Sequence, residues 1–202
     1  MNEKKFDAVV LIKSCNPDKK DEFGTGFVIH KDENYTYILT CAHVFEDIAV
    51  DGQVRINSFA ASLLASGRRE DENIDLAVLR VKAFENTSPM RLANIGNQEN
   101  RFKILGSYDY DEKGGIARRG LTGKLGENFE LWTHDGRERI GAWDLVIEGK
   151  YPLEAGYSGS PVVDTESGRV VGVVSHERRQ GREGYAISID ALRRVWAEAD
   201  NQ

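Results

Sequence analysis

Cysteine is almost missing from this chain: Cys15 and Cys41 are the only two among 202 residues. Two thiols are too few for a four-thiolate metal site or a dense disulfide framework. Both read as reduced thiols, which fits a reducing compartment. Long apolar runs are missing as well. No stretch approaches the roughly 18–20 residues that a membrane-spanning helix needs. The short apolar run at residues 8–12 is interrupted at Lys13 and has no small-residue cleavage site behind it. The expectation is a soluble, cytoplasmic protein without a membrane partner. An excess of positive charge is missing too. A net charge of −6 and a pI near 5.3 have the wrong sign for a phosphate backbone, so nucleic acid is not an expected partner. The pairs Arg68-Arg69, Arg118-Arg119 and Arg178-Arg179 are short and read as solvated surface charge, the last with an open role in substrate recognition. No histidines or acids show ligand spacing such as His-x-x-x-His, and neither a metal nor a cofactor is expected.

What is present is enough apolar material for a core, at 40% hydrophobic residues, distributed in short runs between turn signals. Residues 7–13, 26–30, 35–40, 53–58, 75–81, 102–106, 145–148, 160–163, 169–175 and 184–189 read as antiparallel strands. Continuous apolar runs at 9–12, 77–81 and 170–174 fit strands buried on both faces or lining a closed barrel. Only residues 190–199 carry helical periodicity, with Asp190 as a cap and Leu192, Val195, Trp196 and Ala199 on one face. No internal repeat is visible. The polar stretch Glu85-Asn86-Thr87-Ser88-Pro89, followed by Asn94 to Asn100, marks the expected connection between an amino-terminal β unit, 1–90, and a carboxy-terminal one, 91–202.

Three strings carry chemistry. Gly156-Tyr157-Ser158-Gly159-Ser160-Pro161 frames a serine with glycines, which permits a sharp turn and lets successive backbone N–H groups converge on one point. Tyr37-Ile38-Leu39-Thr40-Cys41-Ala42-His43-Val44 is a hydrophobic strand ending in a histidine. Asn73-Ile74-Asp75-Leu76-Ala77-Val78-Leu79 begins a buried strand with an acid that must be paired or hydrogen-bonded there. Each alone fits an ordinary structural role, as do the other histidines, His30, His134 and His176.

Taken in order, and with Gly24-Thr25-Gly26-Phe27-Val28-Ile29 before them and Val170-Val171-Gly172-Val173-Val174-Ser175 after, these strings resemble the chymotrypsin/trypsin superfamily in its compact bacterial form, over residues 7 to 199. The His, Asp, Ser order is the chymotrypsin order. The resemblance implies an all-β fold of two six-stranded antiparallel Greek-key barrels with a carboxy-terminal α-helix. It implies Ser158 as nucleophile, His43 as general base, Asp75 as its orienting acid, and the amides of Gly156 and Ser158 as the oxyanion hole. Ser175 matches a serine that supports the aspartate. Ser175, His176 and Glu177 would pair with the substrate as an added strand, and Pro152, Leu153, Ala155, Gly184 and Tyr185 would wall the pocket for the residue before the scissile bond.

Two departures matter. Pro152 stands where trypsin has its specificity acid, so Arg/Lys cleavage does not follow. Glu154, Glu177 and Glu183 could make a negative pocket, while His176, Arg178 and Arg179 could favour an acidic side chain, and a small or aliphatic side chain is slightly preferred. Tyr157 stands where digestive members keep the aspartate that pairs with a freshly cut amino terminus, so that zymogen switch is expected to be absent. Cys41 reads as barrel packing beside His43 rather than a nucleophile. The expected function is a serine endopeptidase acting on protein or peptide, the protease of a bacterial regulatory or defence system, with a regulatory partner or further domain as its control. The alternative is a catalytically inactive protein-binding module on the same fold.

Overall fold

A computed structural model describes residues 7–19, 21–69, 72–82, 87–93, 98–109, 115–132 and 139–197. His134, Ala199 and residues 85–86 and 94–97 of the expected inter-unit connection lie outside the described residues.

Six strands, β1 (Val9–Ser14), β2 (Phe23–Lys31), β3 (Tyr35–Thr40), β4 (Gln53–Ile56), β5 (Phe59–Arg69) and β6 (Glu72–Lys82), form a first closed barrel in the order β1-β2-β3-β6-β5-β4. Ring closure is the antiparallel pairing of β1 with β4, with Ile12 opposite Ile56 and Ser14 opposite Val54. Six more, β7 (Arg101–Asp109), β8 (Ile116–Trp132), β9 (Arg139–Glu148), β10 (Pro161–Asp164), β11 (Val170–Arg178) and β12 (Glu183–Ser188), form a second barrel closed by β10 on β7. Renumbered from its own first strand, the second ring has the same order as the first, so one Greek-key topology occurs twice without a repeat in the sequence. Closure leaves no edge to protect in either sheet.

The strands absent from the sequence reading are β5 and β8. β5 is rich in Ala and Ser and exposes its large apolar side chains Phe59, Leu63 and Leu64, while β8 is interrupted by Arg118, Arg119, Lys124, Glu127 and Glu130, so neither shows the apolar segment between turn signals that marked the others. The carboxy-terminal helix is shorter than its periodicity implied. A 3-10 turn, Ile189–Ala191, leads into a single α turn, α2 (Leu192–Val195), and Trp196 is already extended at φ −141. The cap falls at Ser188 rather than Asp190, and its side chain makes no capping bond. Tertiary packing ends the helix: Trp196 leaves the helical path to stack on Tyr37 at 5.4 Å and to meet His30, pinning the end of the chain to the first barrel.

One apolar cluster fills the first barrel with Ile12, Phe27, Ile38, Leu39 and Leu79. It continues into Val163, Val170, Val173 and Ile187 of the second, so the barrels share a dry interface. Thr25 on β2 adds directed bonds across it. Its hydroxyl donates to the Gly156 carbonyl at 2.7 Å and accepts from the Ser107 amide at 3.0 Å, while its own amide donates to the Ser158 carbonyl at 3.0 Å. Thr25→Val keeps the shape and leaves the part-buried Gly156 carbonyl and the buried Ser107 amide unpaired, at a cost of about 1–3 kcal/mol for a fully buried group and less for the carbonyl. Chemical denaturation should register a loss of about 2–4 kcal/mol, with the barrel-to-barrel register of the serine loop loosened.

Candidate active site

His43 enters the site from α1 (Ala42–Ile48), a short helix that starts directly after β3, so the histidine sits in a first helical turn rather than at a strand end. Asp75 projects from β6, the strand that pairs with β3. This neighbourhood brings the two side chains together. His43 Nδ1 lies 2.7 Å from Asp75 Oδ2, and the His43 amide donates to Oδ1 at 3.0 Å. The Ser175 hydroxyl donates to Oδ2 at 2.5 Å. Burial pushes the Asp75 carboxyl upward, but the hydrogen bond and charge of His43, the Ser175 hydroxyl and the His43 amide outweigh it and hold the group below its ordinary value.

Ser158 arrives from the second barrel on a tight loop. Gly156, at φ +91, turns the chain between Glu154 and Tyr157, and any side chain there would run into Phe23 and the Ser107 carbonyl. Gly159, at φ +86, lies against the Thr25 carbonyl and the Thr40 hydroxyl with no room for a Cβ. Both positions require glycine on two counts. The amides of Gly156 and Ser158 find no acceptor among the described residues, as donors reserved for a bound oxygen would be.

Ser175 joins the two halves. A bulge in β11 at this residue takes its carbonyl out of the ladder, and the Ser158 hydroxyl donates to that carbonyl at 3.1 Å. No hydrogen bond runs from Ser158 to His43 in this arrangement. An imidazole held at one nitrogen by a carboxylate keeps the other for a second partner.

The remaining expected residues fall around this centre. Leu153 is buried, its Cδ2 filling the space beside Gly184 and the His176 backbone, and Pro152 packs at Gly181. Ala155 is exposed on the rim of the serine turn. Glu177 accepts from the Gly181 amide at 2.8 Å, and Glu183 pairs with Arg179. His176 stacks on Tyr185 at 5.0 Å, and its Nδ1 lies 2.7 Å from the Ser175 hydroxyl and 2.8 Å from the Tyr185 hydroxyl. Burial, outweighing the attraction of Asp75 and reinforced by His43, Arg68 and Arg178, holds this imidazole below its ordinary value. Tyr157 is fully buried against Gly106, its hydroxyl donating to the Arg119 carbonyl at 3.3 Å.

Both cysteines are free, Cys15 exposed and Cys41 buried. Burial, then the neighbouring Asp75 charge, push the Cys41 thiol well up, and it donates to the Val174 carbonyl at 3.0 Å. A protonated, enclosed thiol is a poor nucleophile. The ligating atoms of Cys41, His43 and Asp75 lie within 4.8 Å of one another, yet both carboxylate oxygens already hold protein donors. The sequence reading missed the Thr25 bonds and the Arg68 contact described below. The Thr25 partners lie far away in the chain, and the Arg68 contact depends on a bulge between β5 and β6, neither of which local sequence marks.

Two closed barrels of like topology, with an imidazole–carboxylate pair on one and a glycine-framed serine on the other, define the chymotrypsin-like class. The chain belongs to the trypsin-like peptidase domain family, whose model matches residues 24–173, and is by class a serine endopeptidase. Among solved structures it is similar to the inactive form of a serine-to-alanine mutant of Rv3671c from M. tuberculosis, at 22% identity and a TM-score of 0.70, covering 97% of this chain and 89% of that one. The active form of the Rv3671c protease matches at 22% identity and a TM-score of 0.64 over 93% of this chain and 79% of that one. A serine endoprotease from Yersinia pestis matches at 21% identity and a TM-score of 0.66, over 98% of this chain and 66% of that one. No curated protein sequence matches the chain.

Acidification acts on two site groups in turn. His176 is lowered from 6.5, so the stability tied to its neutral form is complete above 6.5 and drains as pH falls through the lowered value. Asp75 is lowered from 3.8, so its contribution is complete above 3.8 and drains as pH falls through a lower value still. Urea melts taken from about pH 7 to about pH 2 should lose stability in two stages. His176→Gln should remove the upper stage and Asp75→Asn the lower; one stage that neither substitution alters would contradict this assignment.

Proposed function

We propose that this chain cleaves protein or peptide substrates through an acyl-enzyme formed on Ser158. His43 takes the hydroxyl proton as Ser158 Oγ attacks the scissile carbonyl, and later passes it to the leaving amine. Asp75 orients the ring and stabilises the imidazolium, and the amides of Gly156 and Ser158 receive the developing oxyanion. The observation that carries the reading is the pair of amides on the serine turn that have no acceptor among the described residues, together with the carboxylate–imidazole pair. Ser158 donating to the Ser175 carbonyl suits a resting enzyme. A substrate strand laid along β11 would offer its own N–H to that carbonyl, leaving the serine hydroxyl for His43.

The substrate residue before the scissile bond is read as small or aliphatic. The isobutyl group of Leu153 packs beside Gly184, and the Glu177 and Glu183 carboxylates are engaged by Gly181 and Arg179, which leaves Glu154 as the one of the three neighbouring acids without a side-chain partner among the described residues. Tyr157 fills the place of an activating aspartate with a buried ring, so activity should not depend on amino-terminal cleavage. The free thiols support a cytoplasmic setting, and control by a regulatory partner or further domain remains part of this proposal.

A fluorophosphonate probe should label the wild-type protein and fail to label Ser158→Ala. Turnover of a peptide library should fall about 10⁶-fold in Ser158→Ala or His43→Ala and about 10⁴-fold in Asp75→Asn, as in comparable enzymes. Library cleavage should cluster after uncharged residues. An unlabelled wild type that still binds peptides would favour the inactive binding module instead.

A further inference from the structure

Arg68 belongs to a basic pair that the sequence reading left on the surface, and its guanidinium instead turns toward the site. At Gly67 the pairing of β5 with β6 is irregular, its register shifting between Ser66 and Arg68. A side chain at Gly67 would collide with the backbone and Cβ of Ile74 and with Val195 of α2, so the bulge brings β5 hard against the residue preceding Asp75. Bulges of this kind re-aim the side chain that follows. Arg68 Nη2 lies 3.5 Å from Asp75 Oδ1, the oxygen that the His43 amide also holds, and Nη1 lies 2.7 Å from Glu46 Oε2 on α1. Among the described residues Arg68 Nε is buried without a hydrogen-bond partner, a cost that an arginine serving only solvent would avoid by turning outward. One guanidinium thus ties the helix that carries His43 to the strand that carries Asp75.

We infer that Arg68 is a positioning residue of the peptidase centre, one whose fixed positive charge on the far oxygen of Asp75 limits the proton affinity of the His43–Asp75 pair. The inference rests on the reading of that pair as catalytic. The positive charge of Arg68 favours the ionised form of Asp75, so the ring keeps its charged orienting partner to lower pH. Glu46 works the other way, by holding the guanidinium partly off the carboxylate and by adding a negative charge nearby. Burial acts to lower the Arg68 guanidinium, and Asp75, Glu46 and Asp47 more than reverse this. Among the described residues, the charged and titratable groups that face this centre are Glu46, Asp47 and His43 from α1, Asp75 from β6, His176 and Arg178 from β11, Tyr185 from β12 and Cys41 ahead of α1. From α2 the bulge meets Val195.

The test compares wild type with Arg68→Gln, Arg68→Lys and Glu46→Gln. Two quantities are followed against pH: the rate at which a fluorophosphonate labels Ser158, and the carboxyl carbon resonance of Asp75. In Arg68→Gln the pH of half-maximal labelling should rise by about half a unit, a fraction of the full effect of an adjacent charge because Arg68 is partly solvated. The Asp75 midpoint should rise with it. Arg68→Lys should recover most of both shifts, and Glu46→Gln should move both the opposite way. Superimposable profiles and an unmoved Asp75 resonance in Arg68→Gln would overturn the inference. Should that variant not fold, an unmoved Asp75 midpoint in Glu46→Gln overturns it equally. A wild type that resists the probe would sink the peptidase reading, while the Asp75 titration would still decide the role of Arg68.

Discussion

A carboxylate on a barrel strand, nearly closed off from water, is the constraint around which this molecule is arranged. Asp75 is 6% exposed, and an ion so enclosed is tolerated only if donors replace its lost hydration. Four groups do so: the His43 ring, the His43 amide, the Ser175 hydroxyl and, at longer range, Arg68. They come from α1, β11 and β5, so the folding of three separate elements against β6 is what makes the buried charge acceptable. The same arrangement leaves His43 with one nitrogen fixed and the other free, which is the state that a proton acceptor requires.

The second barrel takes part through one residue used twice. Ser175 gives its hydroxyl to Asp75 and its carbonyl to Ser158, and this is possible because the β11 bulge frees that carbonyl from the sheet. A regular strand would have bonded it to β12. Thr25 answers from the other side, binding the carbonyls of Gly156 and Ser158 from the first barrel. The serine loop is therefore held by hydrogen bonds from both barrels, and the shared apolar contact through Val163, Val173 and Ile187 keeps those donors in register.

The tolerance for substitution differs sharply along the serine loop. Tyr157 and Leu153 are large buried side chains whose roles rest on volume and on the absence of charge. Gly156 and Gly159 are set by backbone conformation and by neighbours that would collide with any side chain. Ala155, exposed immediately before Gly156, is under neither constraint.

Much was legible in the residues alone. Short apolar-rich segments between turn signals marked ten strands, three of them apolar without a break, and the glycines framing Ser158 marked the turn because few other residues reach a positive φ. The order of His43, Asp75 and Ser158 was enough to group them through a family resemblance. The half-polar strands β5 and β8 escaped, since their neighbours in the ring, rather than their own pattern, hold them in place. The helix at the end of the chain proved shorter than its periodicity because Trp196 gains more by stacking on Tyr37 than by continuing a surface turn. What only the tertiary structure decided is which atoms meet: Arg68 at Asp75, Thr25 at Gly156, His176 at Ser175. These contacts join residues far apart in the chain or turn on bulges that shift a strand by one residue, and local propensity carries no record of either.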